Sequence, residues 1–232
     1  MDNTNFNKFK AWSVHIFTAS GLLPAFMSII AISNKDWRAA MAWLIVCQII
    51  DGIDGTLARK FKVKEVLPKF DGKIIDNVID FSTYAIIPAY FFYSAELAYP
   101  MLNLPLSFLI LIVSAIYYGK SGMVSEDYYF VGFPVMWNIV VFYLVFIFPH
   151  SNLLSTFIVV FFSILHFVPI KFAYPSRATH LKNATLLFTS SAVLIIPIAV
   201  WFYPNVPDYI KWIAFINLLY FAGISVFDTF RK

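Results

Sequence analysis

Long apolar stretches separated by short polar breaks run through the whole sequence. Crossing a membrane takes about 20 mostly apolar residues in a helix, and eight stretches come close to that length. The breaks are rich in turn residues, as in the segments 148–152 and 203–207, which both contain proline and asparagine. The pattern therefore predicts eight transmembrane helices, over residues 11–33, 37–54, 74–93, 104–118, 133–148, 153–170, 184–203 and 209–227.

The composition agrees with an all-α polytopic membrane protein. Hydrophobic residues make up 60% of the chain and charged residues 13%, and the mean hydropathy is +0.75. Soluble domains contain roughly 45–50% apolar and about 25% charged residues, so a soluble domain is excluded. Cys47 is the only cysteine, which excludes a disulfide scaffold. Because no internal repeat is visible, we expect a single integral membrane domain over residues 1–232.

The first ten residues are polar and carry both acidic and basic side chains. The apolar stretch that follows is long enough to span a membrane and has no small-residue cleavage site after it. We therefore expect a transmembrane helix here rather than a signal peptide.

The basic residues indicate an orientation, because lysine and arginine concentrate in cytoplasmic loops. With eight spans and both termini in the cytoplasm, every lysine and arginine lies on the cytoplasmic side except Lys35, Arg38 and Lys211. This arrangement also places the polar loop 59–73 in the cytoplasm.

Four aspartates lie where the second and third apolar stretches meet that loop. Asp51 and Asp54 are three residues apart, and Asp76 and Asp80 are four apart, so each pair shares one face of a helix. An ionised aspartate near hydrocarbon costs a few kcal/mol, so these side chains should be hydrated, paired or bound to cations. Carboxylate oxygens are the preferred ligands of Mg²⁺ and Mn²⁺, and the pattern predicts a site for one or two such ions.

Small residues accompany the acids. Gly55, Ala58 and Gly72 lie among them, and Arg59 offers a guanidinium suited to phosphate. Glycine inside a helix costs about 0.5–1 kcal/mol relative to alanine, which favours the close approach of a ligand as its reason. The weaker alternative is a set of interfacial acids neutralised by the basic residues of the loop 59–73.

The segment DGIDGTLAR at 51–59, followed after twelve residues by Gly72, Asp76 and Asp80, resembles the signature of the CDP-alcohol phosphotransferase family. The interval between Arg59 and Gly72 is longer than in most members. That longer interval, with the segments 129–138 and 167–177, is similar to one bacterial branch. Members of this branch join free choline to CDP-diacylglycerol, which gives phosphatidylcholine and CMP.

The resemblance implies a six-helix core within the eight spans and a role for each signature residue. It assigns the metal site to Asp51, Asp54, Asp76 and Asp80, with Asp80 also the catalytic base. It assigns CDP-diacylglycerol binding to Gly55, Ala58, Arg59 and Gly72, and we add Lys171 and Arg177 as candidates for a lipid or nucleotide phosphate. A carboxylate base suits the reaction because the hydroxyl of choline is a poor nucleophile at neutral pH.

Choline is a quaternary ammonium ion, which aromatic faces and a nearby acid bind best. The segment 117–137 offers several such groups, and an interfacial aromatic belt is the competing explanation for them. We take as choline candidates Tyr84, Glu126, Tyr128, Tyr129 and Trp137. The four histidines show no metal-ligand spacing.

Two other functions stay open at this point. One is a related phosphatidyltransferase that uses serine or a polyol phosphate, and the other is an ion transporter with an intramembrane acid site. The resemblance implies a bacterial inner membrane location, membrane lipids as partners and no nucleic acid. A homodimer stays open because nothing in the sequence fixes the oligomeric state.

Overall fold

Helices form most of the chain in the computed structural model, which describes residues 3–127, 129–173 and 181–231. The chain divides between Ile87 and Pro88 into two compact units. The first unit contains α1 (Asn3–Ser20), α2 (Leu22–Ser33), α3 (Trp37–Lys60), α4 (Val63–Val66), α5 (Gly72–Phe81) and a π-helical turn, Ser82–Ile86. The helix α6 (Ile87–Ser94) begins at the boundary.

The second unit contains five further α-helices, a second π-helical turn and two short strands. In chain order these are α7 (Pro100–Tyr118), β1 (Tyr129–Val131), α8 (Trp137–Phe142), the π turn Tyr143–Ile147, α9 (Asn152–Leu165), β2 (Lys171–Ala173), α10 (Lys182–Phe202) and α11 (Asp208–Phe230).

Five helical stretches of the described chain are long and apolar enough to cross a membrane: Asn5–Ser33, Trp37–Lys60, Pro100–Tyr118, Lys182–Phe202 and Asp208–Phe230. The other three predicted spans fall on the helical residues of Gly72–Ser94 and on two shorter apolar helices, Trp137–Ile147 and Asn152–Leu165. The prediction of an all-α, multi-pass membrane protein is confirmed.

Several helix boundaries differ from the sequence-based prediction, and three of the differences have a local reason. α3 continues past the predicted end at 54 to Lys60. Arg59 and Lys60 lie in its last turn, where positive side chains interact favourably with the negative end of the helix dipole. The helices over 133–148 and 153–170 are shorter than predicted. Pro134 and Pro169 lie in the missing parts, and proline both lacks an N–H and disfavours helix at the residue before it.

The shortened ends are joined by a strand pair that the sequence analysis did not predict. β1 and β2 are antiparallel, with Phe130 opposite Phe172. Beyond the strands, the Gly132 N–H donates to the Ile170 carbonyl and the Phe133 N–H to the Leu165 carbonyl. The two segments that are not helical here therefore form backbone hydrogen bonds with each other.

In the first unit, α3 packs against both α1 and α2, and α1 also packs against α5. The buried Ser28 hydroxyl on α2 donates to the Ala40 carbonyl on α3 at 2.9 Å. A small apolar cluster of Ala11, Val14 and Val63 ties α4 to α1. These contacts hold α3 and α5, the two helices with the aspartates, in one unit.

Candidate active site

Three of the four aspartates converge in the first unit. Asp51 lies on α3, and Asp76 and Asp80 lie one turn apart on α5. One carboxylate oxygen from each lies within 4.8 Å of the others, and all three side chains are half-buried. The spacing seen in the sequence therefore produces a compact group of oxygen atoms shared by two helices.

This group fits a hard divalent ion. Carboxylate oxygens suit Mg²⁺ and Mn²⁺ and do not suit softer metals. None of the three carboxylates forms an ion pair with a lysine or arginine of the described residues. Three carboxylates this close repel one another when ionised, and a bound cation would offset that repulsion.

Asp54 lies outside that group of three. It is only 6% exposed, and its carboxylate interacts with the Thr18 hydroxyl of α1. Asp54 lies three residues after Asp51 on the same face of α3, and its carboxylate contacts α1 instead of joining the group of three. The structure thus brings together three of the four aspartates that the sequence analysis assigned to the metal site.

Tyr84 contacts the acid group directly. Its hydroxyl donates a hydrogen bond of 2.6 Å to Oδ2 of Asp51. Tyr84 lies in the π turn that follows α5, four residues after Asp80. The sequence analysis named Tyr84 only as a choline candidate, although the interval of four residues from Gly72 through Asp76 and Asp80 already points to it.

Gly55 and Ala58 lie close to Arg59 on α3. The exposed Arg59 guanidinium donates to the Thr56 hydroxyl at 3.2 Å. A Cβ atom at Gly55 would lie 3.5 Å from Nη1 of Arg59, so the missing side chain leaves space beside the guanidinium. Ala58 packs against the apolar cluster on α1 and α4.

Gly72 begins α5 at a close contact with α1. A Cβ atom there would lie 2.9 Å from Cε1 of His15, closer than an unstrained contact allows. His15 is 5% exposed, and Trp12 and Phe70 pack edge-on and tilted around its ring. The sequence analysis gave His15 no role, because a contact between residues 57 positions apart leaves no local pattern.

The remaining candidates belong to the second unit, and two of them, Tyr128 and Arg177, lie outside the described residues. Nζ of Lys171 is 2.6 Å from the Asp127 carboxylate and 5.3 Å from the centre of the Tyr129 ring. The hydrogen bonds from Lys171 and Ser125 hold the pKa of the exposed Asp127 carboxyl below its usual value. Lys171 is therefore already paired with an acid.

Trp137 and Glu126 have opposite environments. Glu126 is exposed, whereas Trp137 is completely buried. The Trp137 indole N–H donates to the Ser114 hydroxyl at 2.9 Å, and its ring stacks on His166. Trp137 thus packs within the second unit.

The fold and the acid group define a multi-pass membrane protein with a candidate divalent-metal site on two neighbouring helices. The chain belongs to the CDP-alcohol phosphatidyltransferase family, whose model matches residues 14–168. The resemblance seen in the sequence is thereby confirmed. This membership favours a transferase over an ion transporter.

Several curated relatives resemble the chain over much or nearly all of its length. A phosphatidylcholine synthase of Mesorhizobium japonicum is 43% identical over 78% of this chain and 67% of the relative. One of Borreliella burgdorferi is 37% identical over 98% and 97%, and one of Pseudomonas aeruginosa is 35% identical over 99% and 96%. The similarity therefore extends well beyond the signature segment.

Proposed function

We propose that the protein is a phosphatidylcholine synthase, which transfers the phosphatidyl group of CDP-diacylglycerol to free choline and releases CMP. The observation that carries the proposal is the similarity to relatives named phosphatidylcholine synthase along nearly the whole chain. The convergence of Asp51, Asp76 and Asp80 supports a metal-dependent transfer at this site.

The acids have two tasks in this proposal. Asp51, Asp76 and Asp80 hold one or two ions of Mg²⁺ or Mn²⁺, and Asp54 is a further ligand. A bound divalent ion would neutralise the charge that develops on the diphosphate oxygens. Asp80 accepts the proton of the choline hydroxyl while the new oxygen–phosphorus bond forms and the bond from phosphorus to CMP breaks.

In this proposal, small residues and basic side chains bind CDP-diacylglycerol. Gly55, Ala58 and Gly72 allow the diphosphate to approach the backbone, and Arg59 binds its oxygens. Lys171 and Arg177 are proposed for a second phosphate contact. For Lys171 this contact competes with its ion pair to Asp127.

We propose that aromatic and acidic side chains bind choline. The candidates are Tyr84, Glu126, Tyr128, Tyr129 and Trp137. Because the Lys171 ammonium lies over the Tyr129 ring and Trp137 is buried, these two rings require a rearrangement before they can contact choline. We place both termini and the active site on the cytoplasmic side of a bacterial inner membrane, where CMP and choline are soluble and the lipid stays in the leaflet.

The acceptor is tested with purified protein in lipid vesicles that contain CDP-diacylglycerol and Mn²⁺. Choline, serine and glycerol 3-phosphate are supplied in parallel, and lipid product and CMP are both measured. We expect equal amounts of phosphatidylcholine and CMP with choline, and no turnover when a chelator removes the metal. Preferential use of serine or glycerol 3-phosphate would assign the protein to another activity of the family.

The roles of the acids are tested by isosteric substitution. We expect Asp80→Asn to lower kcat on the order of 10²-fold or more with little loss of CDP-diacylglycerol affinity, because it removes the proton acceptor. Asp51→Asn should weaken both binding and turnover. If Asp80→Asn weakens CDP-diacylglycerol binding as severely as Asp51→Asn, Asp80 is a ligand and not the base.

Asp71→Asn is the matched control for these variants. Asp71 is exposed and caps α5, where its side chain accepts a hydrogen bond from the Lys73 N–H at 3.0 Å. Asparagine caps helices about as well as aspartate, so we expect activity close to that of the wild type.

A further inference from the structure

We propose that Tyr84 is a positioning residue that holds the Asp51 carboxylate in the orientation needed for metal binding. The inference rests on the proposed function, since it assumes that Asp51 binds the ion. The Tyr84 hydroxyl donates to Oδ2 of Asp51 at 2.6 Å, which leaves Oδ1 of Asp51 for a metal ion. In this role Tyr84 acts on the ion through Asp51.

The need for such a contact follows from the charges around Asp51. One of its oxygens lies within 4.8 Å of an oxygen of Asp76 and of Asp80, and repulsion favours rotation of the Asp51 carboxylate away from them. A hydrogen bond from a neutral hydroxyl to a carboxylate is short and about twice as strong as one between neutral groups. Tyr84 therefore opposes that rotation without adding a charge.

The backbone explains how Tyr84 reaches α3. In a regular α-helix, side chains four residues apart are rotated by about 40° around the axis. Residues repeated at this interval therefore move gradually away from the face on which the first one lies. The series formed by Gly72, Asp76, Asp80 and Tyr84 ends in the π turn Ser82–Ile86, where the Ile87 N–H donates to the Ser82 carbonyl. A π turn contains more residues than an α turn, so it offsets the drift, and such turns are frequent at functional sites.

A matched residue of the second unit separates this role from a structural one. Tyr143 lies in the other π turn, and its hydroxyl donates to the Ala214 carbonyl at 2.8 Å. Tyr143→Phe therefore removes a comparable hydrogen bond from a comparable backbone setting, but this bond has no carboxylate acceptor.

The test compares Tyr84→Phe, Tyr143→Phe and wild type in lipid nanodiscs. Mn²⁺ binding is measured by electron paramagnetic resonance with CDP and without CDP, and thermal unfolding is recorded as a check on folding. Loss of an outer partner of a metal ligand typically costs 10–100-fold in affinity, so we expect Tyr84→Phe to raise the Kd for Mn²⁺ by about that factor. Tyr143→Phe should leave the Kd unchanged.

Activity gives a second readout. Because phenylalanine keeps the aromatic face, Tyr84→Phe should need more Mn²⁺ for half-maximal activity and keep its choline KM at saturating Mn²⁺. A wild-type Kd for Mn²⁺ in Tyr84→Phe, or an equal rise in Tyr143→Phe, would overturn the inference.

The proposed function is judged separately. A wild type that binds Mn²⁺ but does not use choline would overturn the proposed acceptor, and the Tyr84 comparison would still stand. A wild type that binds no Mn²⁺ with CDP or without it would overturn the metal site and the role of Tyr84 together.

Discussion

At the scale of single residues, the contact between Gly72 and His15 shows how tightly α5 is fitted against α1. The ring of His15 is buried beside Trp12 and Phe70 and lies where a side chain at position 72 would begin. The absent side chain of Gly72 therefore matters for packing within the protein as well as for the proposed approach of the nucleotide.

We expect Gly72→Ala to lower the thermal stability of the purified protein, because its Cβ atom would lie 2.9 Å from Cε1 of His15. In the double variant Gly72→Ala/His15→Ala the clash is removed, so the two losses should not add, with a coupling of about 1 kcal/mol or more. Thermal unfolding in nanodiscs measures all variants. Gly52→Ala is the control, since its Cβ atom would meet nothing within 4 Å. Additive losses would show that His15 does not cause the restriction.

Sequence spacing was sufficient to predict the convergence of Asp51, Asp76 and Asp80, because intervals of three and four residues place acids on helix faces. It was not sufficient to separate Asp54 from them, since that depends on Thr18 of another helix. The partner of the Tyr84 hydroxyl was also not predictable, because the bond joins side chains 33 residues apart. Local periodicity contains no information on such tertiary contacts.

At the scale of elements, hydropathy identified every long helix in the described part of the chain, but it could not identify the strand pair or the two π turns. β1 and β2 have three residues each and lie in apolar, aromatic segments that are equally consistent with a membrane helix. Their pairing joins positions about 40 residues apart, and it depends on Gly132, which has φ +88°.

Gly132→Ala should be among the most damaging single changes in the chain. Its Cβ atom would overlap the backbone carbonyl of His166, which cannot rotate away as a side chain can. We expect a loss of stability on the order of 3 kcal/mol or a failure to yield monodisperse protein. Gly122→Ala is the matched control, because Gly122 has a similar φ of +76° but open space around it, and only about 1–2 kcal/mol of strain should result. Size-exclusion profiles and thermal unfolding distinguish the two, and equal losses would mean that backbone strain alone is responsible.

At the scale of the whole molecule, the topology proposed from the basic residues is open to direct measurement. Cys47 is the only cysteine and is 3% exposed, so the native chain offers little background for thiol labelling. Lys35 and Lys64 are both exposed, and the proposed topology places them on opposite sides of the membrane.

We expect a membrane-impermeant maleimide to label Lys35→Cys in intact spheroplasts, and to label Lys64→Cys only after the membrane is permeabilised. The reason is the excess of basic residues in cytoplasmic loops. Gel shifts of the labelled protein provide the measurement, with unsubstituted protein as the control. Labelling of Lys64→Cys in intact spheroplasts would show that the topology is the reverse of the one proposed, with the acid cluster at the outer face.

The fit of Gly132 against the backbone of His166 also limits how this gene can change. Every amino acid other than glycine carries a Cβ atom, so each missense mutation of this codon introduces the overlap that alanine does. We therefore expect position 132 to stay glycine while other positions between the strand pair and α8 accept substitutions.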